Sequence, residues 1–356
     1  SVAAFTPVLL NVCIISSAIF LSPYFEQQAY ALAWGVFLGG MVQFIFQLPF
    51  LYKANVLVKP TWAWSAPGVV KIKKLMLPAL FGVSVTQINL LLDTVIASFL
   101  MKGSISWLYY SDRLLEFPLG LFGIGIATVI LPKLSRLHAD KSLTEFSSTI
   151  NWGLKTVSTL GWPAMAGLIV LAQPIIIVLF FGGAFTEAQV DRVTLSLYAY
   201  LSGLLSFMMI KILAPAFYSR QDTKTPVKIG IIAMVANMGF NLLFAPFLGY
   251  IGLALATACS ATINALLLYR TLKAQGVYEI CRETLLFQGR LIVGTVVMVA
   301  VLLYLIPDTS AWYGMSILER IYHLVGYIVV GFITYLAVVI ILGVRISDFK
   351  VRVTAD

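Results

Sequence analysis

Ser104-Ile105-Ser106-Trp107-Leu108-Tyr109-Tyr110-Ser111-Asp112-Arg113-Leu114-Leu115-Glu116-Phe117-Pro118-Leu119-Gly120-Leu121-Phe122-Gly123-Ile124-Gly125-Ile126-Ala127-Thr128-Val129-Ile130-Leu131 is long enough to cross a bilayer as a helix. Yet it carries three ionisable groups, Asp112, Arg113 and Glu116, within one helical turn. A charge at the centre of a membrane helix costs about 2.5–3.5 kcal/mol on insertion scales, so such groups face a partner or a watery cavity. Function is expected on this helix.

The rest of the chain has the same character. Sixty per cent of its 356 residues are apolar, only 11% are charged, and the mean hydropathy is +0.95. That composition predicts an all-α polytopic membrane protein. With about 20 apolar residues per crossing, ten transmembrane helices are read: 4–22, 29–51, 75–100, 105–131, 152–181, 189–215, 227–247, 250–270, 285–306 and 318–343. Runs of this length without period-2 alternation exclude a β-barrel. The segments 52–74, 132–155, 216–228, 270–290 and 345–352 hold 19 of the 24 basic residues, while the intervening loops hold only Lys102, Arg192 and Arg320. Every second loop is therefore read as cytoplasmic. The net charge of +9 is explained by anchoring beside anionic membrane lipids and calls for no nucleic acid.

Catalytic chemistry finds little support. Cys13, Cys259 and Cys281 are an odd, unspaced set, and His138 and His323 stand alone, so neither a disulfide framework nor a metal site is implied. There is no Walker A loop, no H-E-x-x-H and no cytoplasmic acidic cluster to hold Mg²⁺ on a diphosphate. Gly120-x-x-Gly123-x-Gly125 lies within a helix with no strand before it, which favours small-residue helix packing over a nucleotide fingerprint.

An internal repeat sets the architecture. Thr6-Pro7-Val8 opens a span, the next begins at Leu32-Ala33, and it exits through Lys53-Ala54. The pattern returns as Thr225-Pro226-Val227, Leu253-Ala254 and Lys273-Ala274, each about 220 residues later. A unit of that size predicts that 1–56 holds the last two helices of an N-terminal lobe, 72–275 a six-helix C-terminal lobe, and 284–344 two extra helices. Four helices are then expected upstream of Ser1. Two such lobes imply a central cavity and alternating access.

Two polar constellations are candidates for the cavity. On span 75–100, Gly82, Thr86, Asn89, Asp93 and Ala97 share a face. Asn237 and Asn241 share a face of a later span at i, i+4, and Thr257 follows on the next. Asp93, Asn237, Asn241 and Thr257 supply the oxygens that a hard monovalent cation takes, Na⁺ or H⁺ as a coupling ion; interhelical hydrogen bonding accounts for the same residues. Arg113, with Asp112 and Glu116 in reach, is either a structural ion pair or a cavity ligand whose planar fork suits phosphate. Pro118 predicts a local break. Ser142-x-x-Glu145 and Thr186-x-x-Gln189 have capping-box spacing, and 142–155 reads as an interfacial helix on the cytoplasmic face.

The string from Ser106 to Pro118, together with Leu213-Ala214-Pro215-Ala216-Phe217-Tyr218-Ser219-Arg220-Gln221-Asp222-Thr223-Lys224-Thr225-Pro226-Val227-Lys228, resembles the MurJ (MviN) family of the MOP exporter superfamily. The resemblance covers essentially the whole chain. It implies a fourteen-helix fold of which this chain is helices five to fourteen, lacking the first four. It implies lipid II as substrate, an undecaprenyl diphosphate bearing a disaccharide-pentapeptide, flipped across the bacterial inner membrane for peptidoglycan synthesis. It places Arg113, Asp112, Glu116 and Ser106 at substrate-binding positions, Asp93 and Asn241 where cation coupling varies among members, and a lipid-tail groove on the last two helices. Membrane lipids and cell-wall synthesis proteins are the partners it suggests. Another exporter of polyprenyl-linked glycans or drugs, or a non-transporting scaffold, are the alternatives.

Overall fold

The structure, a computed structural model, describes residues 2–55 and 64–349, without the side chains of 2–4, 71, 74–75, 77–86, 124 and 346–347. The Thr86, Lys71 and Lys74 side chains and what surrounds Gly82 lie outside what is described, as do Val56, Lys59, Lys350 and Arg352 altogether. The described chain folds as helices, with one isolated bridge, Gly182 to Phe185, in a turn. It separates into two compact units, Ser1–Leu75 and Met76–Asp356.

The first unit is built on an antiparallel hairpin of α1 (Val2–Phe20) and α2 (Ala29–Lys53). Gly35 and Gly39 make its close approach. A Cβ on Gly35 would stand 2.9 Å from Ser17 Cβ, and one on Gly39 would stand 3.2 Å from Leu10 Cα. This is the small-xxx-small mode of membrane helix packing. Gln43 adds a hydrogen bond from its amide to the Thr6 carbonyl, 2.8 Å.

In chain order, α3 (Pro67–Ser98) crosses the boundary between the units, followed by α4 (Ser104–Pro118), α5 (Gly125–Ala139), α6 (Leu143–Val170), α7 (Ala172–Phe180), α8 (Glu187–Leu201) and α9 (Leu204–Tyr218). Then come α10 (Lys224–Leu248), α11 (Tyr250–Ala274), α12 (Arg282–Leu305), the short α13 (Thr309–Gly314) and α14 (Ile317–Ile341). The core of the second unit is largely apolar, with Ile130, Leu134, Phe146, Ile150, Leu204, Met208, Ile212 and Phe217 all buried. Glycines again set the spacing: a Cβ on Gly153 would collide with Ile130 and Ile212, and one on Gly252 would lie 2.7 Å from the Phe244 carbonyl oxygen. The α10–α11 hairpin turns at Gly249, whose φ of 58° and ψ of −135° suit glycine. The helices closing the two expected repeats stop alike. Both α2 and α11 run 25 residues, and each is followed by a left-handed residue, Asn55 (φ 54°) and Gly276 (φ 68°).

Among the described residues, six helical segments are individually long and apolar enough to span a membrane, and two bent pairs, α6–α7 and α8–α9, raise that to eight. The first and third expected spans enter that search only through Phe5–Phe20 and Gln87–Ser98, the parts whose side chains are described, so the count of ten is not tested by it. The α6–α7 pair bends by 71°. Pro174, in the first turn of α7, has no N–H for the Val170 carbonyl, so the helix breaks between them.

Two local readings are corrected. Residues 142–155 are not a separate interfacial helix, because α6 runs unbroken from Leu143. Of its apolar stripe only Leu143 is exposed, while Phe146, Ile150 and Leu154 are buried in the core with Ile130 and Leu134. Ser142 makes no side-chain cap, whereas the box at Thr186–Gln189 forms, as does one at Ser316–Glu319 that opens α14.

Polar contacts fasten α12 and α14 to α6. The Trp162 indole N–H donates to Gln288 Oε1 (2.9 Å), the Gln288 amide donates to Ser158 Oγ (2.8 Å), and the Tyr335 hydroxyl donates to the Thr159 carbonyl (2.8 Å).

Candidate functional site

The opening helix is broken where Pro118 predicts. Without an N–H, Pro118 cannot donate to the Leu114 carbonyl, and a π-helical turn follows over Leu119–Ile124 before α5 begins. Of the three glycines here, only Gly123 packs closely, its Cα face lying over Met208 and the stem of Lys211 on α9; Gly120 and Gly125 have open space beside them.

Helix α4 has two faces. Trp107, Leu108, Ser111, Leu114, Leu115 and Pro118 are buried, while Ser106, Tyr109, Arg113 and Glu116 are exposed at steps of three or four, with the apolar Ile105 and Phe117 exposed beside them. The Arg113 guanidinium donates from Nη1 to Glu116 Oε2 at 2.6 Å and from Nη2 to Asp112 Oδ2 at 3.4 Å. The Arg113 and Glu116 side chains are half exposed and Asp112 is one-third exposed. The Tyr109 ring lies under the guanidinium, 5.1 Å from centroid to Cζ. Ser106 stands two turns earlier on the same face, and no hydrogen bond from its hydroxyl is formed among the described residues.

The second constellation assembles across three helices. Asn241 on α10 donates from Nδ2 to Asp93 Oδ1 on α3 at 2.6 Å and to Asn237 Oδ1 at 3.0 Å. Asn237 donates to Thr257 Oγ1 on α11 (3.3 Å), and Thr257 donates to the Leu253 carbonyl (3.0 Å). Asp93 sets the direction of this relay. A carboxylate can only accept, so the Asn241 amide turns its NH₂ toward Asp93 and leaves its own carbonyl oxygen without a partner among the described residues. Asn89, one turn before Asp93, reaches its Oδ2 only at 3.5 Å, and its carbonyl oxygen is likewise buried and unpartnered among the described residues. Asn237 and Asn241 are 1% and 0% exposed. Unsatisfied buried oxygens beside a carboxylate are the donor set of a hard cation, and these residues fit one.

All four proposed cation ligands are thus in one hydrogen-bonded group, and three of the four substrate candidates are in another. Sequence reasoning missed Tyr200 of α8, a buried phenol within electrostatic reach of both Asp93 and Asp112. It lies in Thr194-Leu195-Ser196-Leu197-Tyr198-Ala199-Tyr200-Leu201-Ser202, where every second residue bears a hydroxyl, so the sequence does not single it out and only packing does. Tyr109 was visible in the motif but its contact with Arg113 was not inferred.

Comparison with known proteins agrees with this architecture. A family profile described as Lipid II flippase MurJ matches residues 1–324. The "Probable lipid II flippase MurJ" of Vibrio cholerae is 58% identical over 98% of this chain and 67% of its own length, and that of Haemophilus influenzae is 56% identical over 97% and 68%. A solved structure of "Lipid II flippase MurJ, inward closed conformation" superposes with a TM-score of 0.77 at 27% identity, covering 95% of this chain and 67% of that one. The chain therefore spans about two thirds of the length of these relatives. On the strength of the profile match and of the identity to these relatives, this helical, multi-pass membrane chain belongs to the MurJ family of lipid II flippases, which are transporters and not enzymes.

Proposed function

We propose that the chain turns lipid II from the cytoplasmic to the periplasmic leaflet of the bacterial inner membrane by alternating access. The observation that carries the reading is the half-exposed Arg113 on a polar face of a membrane helix, held by two carboxylates rather than sealed in a dry core. A guanidinium already paired with carboxylates exchanges readily for a diphosphate, because both acceptors present oxygens to the same planar fork. Asp112 and Glu116 hold that fork in place until the headgroup arrives and recapture it on release. The polyprenyl tail stays in lipid.

The Asp93, Asn237, Asn241 and Thr257 cluster is the coupling element in this reading. A Na⁺ or H⁺ bound at Asp93 biases one state of the cycle over the other. The membrane potential acting on cavity charge serves the same end, since 100 mV on one full charge supplies about 2.3 kcal/mol. Loss of the charge-assisted bonds in Arg113→Ala, worth about 1.5–3 kcal/mol, is expected to lower lipid II translocation by roughly ten- to a hundred-fold while the protein still inserts and folds. A headgroup-accessibility assay in cells depending on the variant tests this. Normal translocation there removes Arg113 from the mechanism.

A further inference from the structure

Resting on the reading of Arg113 as the diphosphate ligand, we infer that Tyr109 is the positioning residue that keeps the Arg113 guanidinium in register while it exchanges carboxylates for phosphate. Tyr109 and Arg113 are four residues apart on α4, so the ring and the cation share one face of the helix. In that reading this face borders the cavity rather than acyl chains. It also carries Glu116 and Ser106, and a half-exposed Arg–Glu pair in hydrocarbon would carry a desolvation cost that a cavity does not impose.

The contacts of Arg113 divide by geometry. Glu116 and Asp112 take its terminal nitrogens, at 2.6 and 3.4 Å, and so occupy the hydrogen-bonding edge. Tyr109 contacts the guanidinium from the ring face, 5.1 Å away, and uses none of its N–H groups. An arriving diphosphate competes with both acids for the edge, but it does not compete with the ring. During exchange, when Arg113 has released Glu116 and not yet closed on phosphate, the ring is the contact that persists. Without it the long side chain regains its rotamers at each turnover. The ring is 57% exposed and is not needed to fill the core. Its hydroxyl forms no hydrogen bond among the described residues, so the aromatic face carries the role.

A cation–π contact of this partly exposed kind supports roughly a three- to ten-fold effect. The test is lipid II binding to the purified, complete protein by native mass spectrometry, alongside headgroup translocation in cells. Tyr109→Leu is expected to weaken binding by about that factor and to slow translocation, and Tyr109→Phe and Tyr109→Trp to restore both. In an Arg113→Ala background Tyr109→Leu is expected to have no further effect, because the ring acts through the cation. If Arg113→Ala abolishes binding while Tyr109→Leu binds normally, or if Tyr109→Phe fails as badly as Tyr109→Leu, the positioning role is overturned and the Arg113 reading stands. If Arg113→Ala itself binds normally, both are overturned.

Discussion

Replacing Asn241 by Asp probes the polar group on α3, α10 and α11 more sharply than deleting it. Asn241 is fully buried, and its Nδ2 lies 2.6 Å from Asp93 Oδ1. In Asn241→Asp that donor becomes a second carboxylate oxygen of nearly identical shape, so the packing volume is kept while the charge changes and the two donated bonds, to Asp93 and Asn237, are lost. Two charges about 3 Å apart repel by roughly 5 kcal/mol even at an effective dielectric constant near 20. The repulsion must be relieved by a shared proton or a bound cation, and the neighbouring Asn237, Thr257 and Asn89 oxygens complete a cage for the latter. A cation at a hundred times its dissociation constant stabilises the folded state by about 2.7 kcal/mol. Thermal unfolding in lipid nanodiscs, with NaCl exchanged for choline chloride at equal ionic strength, reads this directly. Asn241→Asp is expected to show a rise in Tm with Na⁺ larger than the parent protein shows, and Asp93→Ala to abolish any rise. Identical responses to Na⁺ and choline in Asn241→Asp, the parent and Asp93→Ala would refute the cation reading and leave the cluster as interhelical hydrogen bonding.

Two other outcomes follow from local geometry. Gly252→Ala sets a methyl group 2.7 Å from the Phe244 carbonyl oxygen in the tight α10–α11 turn, where backbone rather than a flexible side chain must yield. A loss of about 1–3 kcal/mol is expected by denaturant or thermal unfolding, and an unchanged midpoint would show that the hairpin opens without strain. In the turn before α10, burial alone would raise the Asp222 carboxyl, but hydrogen bonds from Thr225, including its N–H at 3.0 Å, and the nearby Arg220 hold it below its ordinary value of 3.8. A depressed carboxyl contributes stability that is present above its unfolded value and is lost as pH falls through its lower folded value. Asp222→Asn is therefore expected to lower stability at neutral pH and to flatten the acid limb of the stability profile; an acid limb identical to the parent's would discard that role.

The class of the protein is local information. Hydropathy, the alternation of basic loops, and a helix carrying Asp112, Arg113 and Glu116 in an apolar run each depend on residues within a turn or a span of one another. The break at Pro118 was equally legible, since it follows from a missing N–H. Its form was not: the π turn over Leu119–Ile124 depends on how Gly123 seats against Met208 and Lys211 of α9.

Periodicity states which residues share a helix face, and it leaves open what that face meets. The stripe of Phe146, Ile150 and Leu154 has the same spacing whether it lies on a membrane surface or in a core, and only the packing of α6 against α5 and α9 places it inside. The same applies to Asp93. Asn237 and Asn241 share a face by sequence, but Asp93 lies 148 residues from Asn241 in the chain. Their 2.6 Å bond needs the rotation and depth of two helices to match, which is a property of every side chain between them. Sequence alone therefore settled that this is a helical membrane chain with charge inside it. Tertiary packing decided which buried oxygens meet around Asp93 and that the Tyr109 ring lies under Arg113, because contact between helices depends on their mutual register.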